Sequence, residues 1–149
     1  MALLEKHKTQ FVFQVAGCET CGRLAEREIA VVPMVAKWGA AFLISEHEWI
    51  AEGTSGYSKA AIPADKVERM IVGLPVSFED SRQQIVYEVA TALIDSRYVP
   101  KGLYDRAVKE LGNNGVTDLA IIMGYFSMVS FTAEALAIHT GYTVKGAIG

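Results

Sequence analysis

The sequence has little of the chemistry that builds disulfide scaffolds or metal centres, with two cysteines and three histidines in 149 residues. So few cysteines exclude a disulfide-stapled fold and make a cytoplasmic location the default expectation. A dedicated metal site would need more His or Cys, unless carboxylates dominated it. There is no excess of positive charge either. The formal net charge is −3 and Lys and Arg are scattered, with no basic stripe interleaved with aromatics. Neither nucleic acid nor an anionic membrane is therefore an expected partner. P-loop, dinucleotide-binding glycine fingerprint, HExxH and nucleophile elbow are all missing, and the sequence implies no cofactor. Residues 1–10, which hold Glu5, Lys6, His7 and Lys8, lack the charged-then-apolar order of a secretory signal. The most membrane-like run, 119–131, is shorter than the roughly 20 apolar residues a bilayer needs, so it reads as a core or subunit-interface helix.

What is present is ordinary globular material. Hydrophobic residues make up 51% and charged ones 21%, enough apolar surface to build a core and too much for a disordered chain. The length suits one domain over 1–149. Helical spacing dominates and no segment alternates convincingly as a strand, which predicts an all-α, multi-helix domain. Expected helices cover 3–15, then 24–38 with Pro33 inside it as a bend or interruption. A glycine corner at 39–41 leads to a helix over 42–52 and a loop over 53–61. Short and long helices follow at 64–72 and 81–96, the latter carrying the clearest amphipathic stripe, with Glu79 and Asp80 favouring its start. Pro100 opens a further helix ending near Leu111. The Gly112–Gly115 stretch reads as a turn, and Thr117 or Asp118 is positioned to cap a last helix through Ala137.

Three groups of residues could carry chemistry. His47 shares a helix side with Leu43, Ile44, Ile50 and Ala51, and imidazole is the side chain that exchanges protons near neutral pH. Glu28 lies on the preceding helix. Folding the two helices antiparallel about the 39–41 corner leaves it about one helical turn, ~6 Å, from His47 along the axis. A structural, hydrogen-bonded histidine and a functional one both satisfy this spacing. Cys18 and Cys21 form a CxxC pair just before a helix, a setting that can lower a thiol's pKa, but no βαβ pattern surrounds them and no second pair completes a zinc site. Two inert cysteines are the favoured reading. Met123, Tyr125, Phe126, Met128 and Phe131 form an aromatic and methionine cluster suited to packing, from which Tyr125 could turn its hydroxyl into a ligand cavity.

Two longer patterns carry a family resemblance. The first is Arg27-Glu28-Ile29-Ala30-Val31-Val32 followed by Ala36-Lys37-Trp38-Gly39-Ala40 and His47; the second is Leu111-Gly112-Asn113-Asn114-Gly115-Val116-Thr117-Asp118-Leu119 leading into Gly124-Tyr125-Phe126-Ser127-Met128-Val129. Together, over about 24–137, they resemble the carboxymuconolactone decarboxylase-like family, which includes the alkylhydroperoxidase D-like enzymes. The resemblance implies an all-helical fold on an antiparallel helical hairpin and a homo-oligomer, a trimer or hexamer. It also implies proton-relay roles for Glu28 and His47. The peroxidase branch places a CxxC pair seven and four residues before the histidine, where this chain has Ala40 and Leu43. The decarboxylase branch often places a glutamate at the second of these, again Leu43 here.

The function this implies is a cofactor-independent, decarboxylase-like lyase acting on a small oxygenated carboxylic acid or lactone. His47 is the expected general acid and Glu28 orients or reprotonates it. Arg27 or Lys37 would receive the substrate carboxylate, and Trp38, Leu43 and Tyr125 would complete the substrate site. The alternatives are a thiol-dependent peroxidase using Cys18 and Cys21, and a non-catalytic member that binds a hydrophobic small molecule between helices. Leu43, apolar where the family carries an acid–base group, motivates the last.

Overall fold

A computed structural model of the chain describes residues 24–53 and 60–136. The expected first helix over 3–15, the CxxC pair and most of the 53–61 loop lie outside these residues. Within them the protein is all-helical, with five helices and no strand. These are α1 (Leu24–Lys37), α2 (Ala41–Glu52), α3 (Ala64–Ile71), α4 (Ser81–Ser96) and α5 (Lys101–Ala135).

Helix α1 is the centre of the bundle and packs against each of the other four. Its Ile29, Val31, Val32 and Val35 are all at most 1% exposed. A run so rich in β-branched residues is a mediocre helix former by itself. Burial on every side holds it helical, because each of these side chains gains about 1.5–3 kcal/mol on leaving water. Of the two outcomes expected at Pro33, interruption does not occur; α1 runs through it to Lys37. Gly39 then ends the helix in the left-handed region, at φ +66°. Its N–H donates to the Ala36 carbonyl at 3.0 Å and that of Ala40 to Val35 at 3.2 Å. This pattern closes a helix and permits a sharp reversal. The chain turns straight into α2, which returns along α1.

Local signals account for most boundaries. Asp80 caps α4 by accepting from the backbone N–H groups of Arg82 and Gln83, each at 3.0 Å. Pro63 and Pro100 stand immediately before α3 and α5, where no N–H is needed.

The last third follows expectation in its break and sharpens it. The 35 residues of α5 are two helical segments, 101–111 and 113–135, that meet at a kink, and the expected turn shrinks to the single non-helical residue Gly112 (φ 75°, ψ 168°). That conformation is essentially restricted to glycine, so one residue absorbs the whole change of direction. Thr117 consequently caps nothing. It lies inside the helix, and its hydroxyl donates to the Asn113 carbonyl at 3.0 Å. An 18-residue window of α5 has a mean hydropathy of 1.4 with 28% of it buried, so by length and composition alone the helix could cross a bilayer. Its inner stripe, including Leu119, Ile122, Met123 and Ser130, is buried, and α5 packs on α1 and α4. Ile121, Met128 and Phe131 are exposed on its outer side.

Candidate proton-transfer site

Four polar side chains are buried among the described residues, and three of them are Glu26, Glu28 and His47. Glu28 has no exposed surface at all, on a helix otherwise filled with Val and Ile. A carboxylate in such a place needs partners on both oxygens, and it has them. Oε2 lies 2.7 Å from His47 Nδ1, and Oε1 accepts from the Arg27 guanidinium, with Nε and Nη2 each at 2.8 Å. Reversal of the chain at Gly39 brings Glu28 and His47 together within one subunit, as the antiparallel folding anticipated.

The histidine itself is 7% exposed. Phe126 of α5 meets its ring edge-on, centroids 4.7 Å apart at 89°, and Tyr125 in turn stands edge-on to Phe126 at 5.2 Å. Leu43, one turn earlier on α2, is buried at 6% exposure. The imidazole is thus gripped by a carboxylate, an aromatic edge and an aliphatic neighbour. A carboxylate accepting from Nδ1–H selects the tautomer in which Nε2 is the exchanging nitrogen. That Nε2 has no hydrogen-bond partner among the described residues, yet no buried side-chain nitrogen or oxygen there is left unpartnered. Nε2 therefore reaches accessible space while Nδ1 stays locked inside.

The other expected residues divide. Arg27 is beside the pair, but its Nε–Nη2 edge is already spent on Glu28 rather than held out for a ligand. Tyr125 is one ring removed from His47, and burial pushes its hydroxyl pKa above the usual value. Trp38, 41% exposed, donates from Nε1 to Ser127 Oγ at 3.2 Å and meets Phe131 edge-on at 4.5 Å. Lys37 is not brought to His47: its Nζ faces Asp95 of α4 at 3.4 Å. Phe126 was the residue that sequence reasoning passed over. It stood in the aromatic cluster beside Tyr125, and only the rotation of α5 decides which of two adjacent rings meets the imidazole.

Lys37 instead borders a second feature, an open groove of about 340 Å³ between the C-terminal ends of α1 and α3 and the outer side of α4. Among the described residues, no cluster of three His, Cys, Asp or Glu side chains could hold a metal ion. Comparison with protein-family models, with curated proteins and with solved structures gives no match for this chain.

Proposed function

We propose that this protein is a cofactor-independent, decarboxylase-like lyase that uses His47 as a general acid toward a small oxygenated carboxylic acid or lactone. The observation that carries the reading is the asymmetry of the imidazole, with Nδ1 locked on a fully buried carboxylate and Nε2 accessible. The resemblance of the Glu28 and His47 segments to carboxymuconolactone decarboxylase-like proteins supports it. So does the reversal of α1 onto α2, which matches the hairpin those proteins share.

In the proposed step the bond from the substrate carbon to its carboxylate breaks and CO₂ leaves. The electron pair passes into a conjugated carbonyl or lactone, and the resulting enolate carbon takes a proton from Nε2 of the imidazolium. Glu28 stabilises the imidazolium that gives this proton and holds the neutral ring in place afterwards, when water restores the proton. Arg27 holds Glu28 in orientation through its Oε1. Leu43 and Phe126 provide an apolar wall in which loss of charge as CO₂ is favoured. On the same reading the protein acts as a homo-oligomer on a soluble metabolite.

The test is CO₂ release from a panel of β-keto acids and carboxylated γ-lactones, with solvent-deuterium incorporation at the former carboxyl-bearing carbon. His47→Gln should lower turnover about 10²–10⁴-fold, the usual contribution of a positioned general acid. Unchanged turnover in that variant rejects the mechanism.

A further inference from the structure

The groove beside Lys37 is a different place from the His47 site. Lys37 follows Glu28 by nine residues of α1, which puts it on roughly the opposite side of the helix and about 13 Å further along the axis. One wall of the groove is hydrocarbon, from Met70, Ile71 and Leu74 at the end of α3 and Ile94 of α4. Leu74 is 49% exposed and the adjoining Val72 47%, an unusual outlay of aliphatic surface around one concavity. The opposite side is a polar stripe of α4, where Tyr87, Thr91 and Asp95 recur at four-residue spacing across from Lys37.

The donors on this stripe have capacity to spare. Thr91 has no hydrogen-bond partner among the described residues. By contrast, the hydroxyls of Thr117, Ser127, Ser130 and Thr132 each donate to the carbonyl four residues earlier. The Tyr87 hydroxyl accepts from the Val76 N–H at 3.2 Å, and its own proton meets no acceptor among the described residues. Lys37 holds Asp95 only loosely, at 3.4 Å with both side chains more than half exposed. An ammonium and the Thr91 hydroxyl therefore border an aliphatic wall, the arrangement that suits a carboxylate attached to a hydrocarbon body.

We propose that this groove binds a small monocarboxylic acid with an aliphatic or aryl body. The carboxylate takes Lys37 away from Asp95 and accepts from Thr91, one turn earlier on α4, while the body lies on Ile71, Leu74 and Ile94. The site does not depend on chemistry at His47.

Titration calorimetry of the full chain with octanoate, octanamide and octylamine tests it. Octanoate should bind saturably, and octanamide at least about tenfold more weakly. Lys37→Met should weaken octanoate about tenfold or more, and Thr91→Val about threefold, in line with the loss of a charged and a neutral hydrogen bond. Asp95→Asn should tighten octanoate by removing the competitor for Lys37. His47→Gln should leave its affinity unchanged, which separates this site from the catalytic one. The proposal is overturned if octanoate does not saturate, if Lys37→Met binds it as the wild type does, or if octylamine binds tighter than octanoate and Asp95→Asn abolishes that binding.

Discussion

Glu26 and Glu28 are two buried carboxylates two residues apart on α1, and they do opposite jobs. An offset of two residues turns them to well-separated sides of the helix. Glu26 faces α4, where Arg82 donates to both of its oxygens, Nε at 3.0 Å and Nη2 at 3.1 Å. The same guanidinium reaches the Glu110 carbonyl of α5 through Nη1 at 2.6 Å, two residues before the break at Gly112. Arg82 thus ties α1, α4 and the bend of α5 together, and the hydrogen bond to Glu26 outweighs burial to raise its pKa further above its usual value. Glu28 faces α2 and holds an imidazole. The partner decides the role: a guanidinium keeps its proton at every physiological pH, so Glu26 is restricted to architecture, whereas an imidazole with an accessible Nε2 can exchange one.

The largest effect should come from Glu28→Ala. Removing the carboxylate leaves the buried His47 and the half-buried Arg27 without their shared partner, and unfolding in urea should show a loss of about 3–5 kcal/mol. Glu28→Gln, which keeps the volume, should retain more stability but still depress turnover, because an amide can present N–H to Nδ1 and select the wrong tautomer. Equal turnover in Glu28→Gln and wild type would make Glu28 as structural as Glu26.

Arg82→Met should cost less, about 1–3 kcal/mol, since the Arg82 side chain is itself 30% exposed and water can reach the place it leaves beside Glu26. Turnover at saturating substrate should not change in the folded protein. A fall in turnover as large as that of His47→Gln would dissolve the distinction between the two carboxylates.

Gly112→Ala probes the far end of the Arg82 linkage. No atom stands within 4 Å of a Cβ there, so the penalty is backbone strain alone. About 1–3 kcal/mol is expected from placing a side chain in that conformation, read as a lower thermal midpoint.

The smallest effect is expected at Glu88, a surface counterpart to both. Burial pushes its carboxyl up, but hydrogen bonds from Gln84 and Arg106, with the Arg106 charge, outweigh it and leave the pKa below its usual value. Its contribution is therefore present above the unfolded carboxylate value of about 4.3 and is lost as pH falls through the lower folded value. Glu88→Gln should cost about 0.2–1 kcal/mol near neutral pH. The gap between variant and wild type in urea should close as pH is taken to about 3.

Much of the architecture is legible in the order of residues. The helix over Ser81–Ser96 is found with the bounds its apolar period and its Asp80 cap suggest. The reversal at Gly39 is equally local, since a left-handed residue after a helix favours glycine. Pro33 and Gly112 both carry local signals against a helix, and they differ in outcome. The helix runs through Pro33 to Lys37, buried among its neighbours, whereas Gly112 leaves helical geometry and breaks α5 into two segments. Lys37 illustrates the limit at the site. Sequence proximity placed it with Arg27 as a carboxylate receiver, yet the turn of α1 sends the two to different surfaces.

By itself the sequence determined that the described residues are helical, where α1 reverses into α2, and that Glu28 and His47 come to the same stretch of that reversal. Those features depend on the helical period and on a glycine, both local properties. The tertiary structure alone decided that Nδ1 is the nitrogen Glu28 holds, that Arg27 completes the carboxylate, and that Phe126 rather than Tyr125 meets the ring. It also decided that Lys37 borders a separate groove. Each of these rests on burial and on the rotation of one helix against another, quantities set by the packing of residues far apart in the chain.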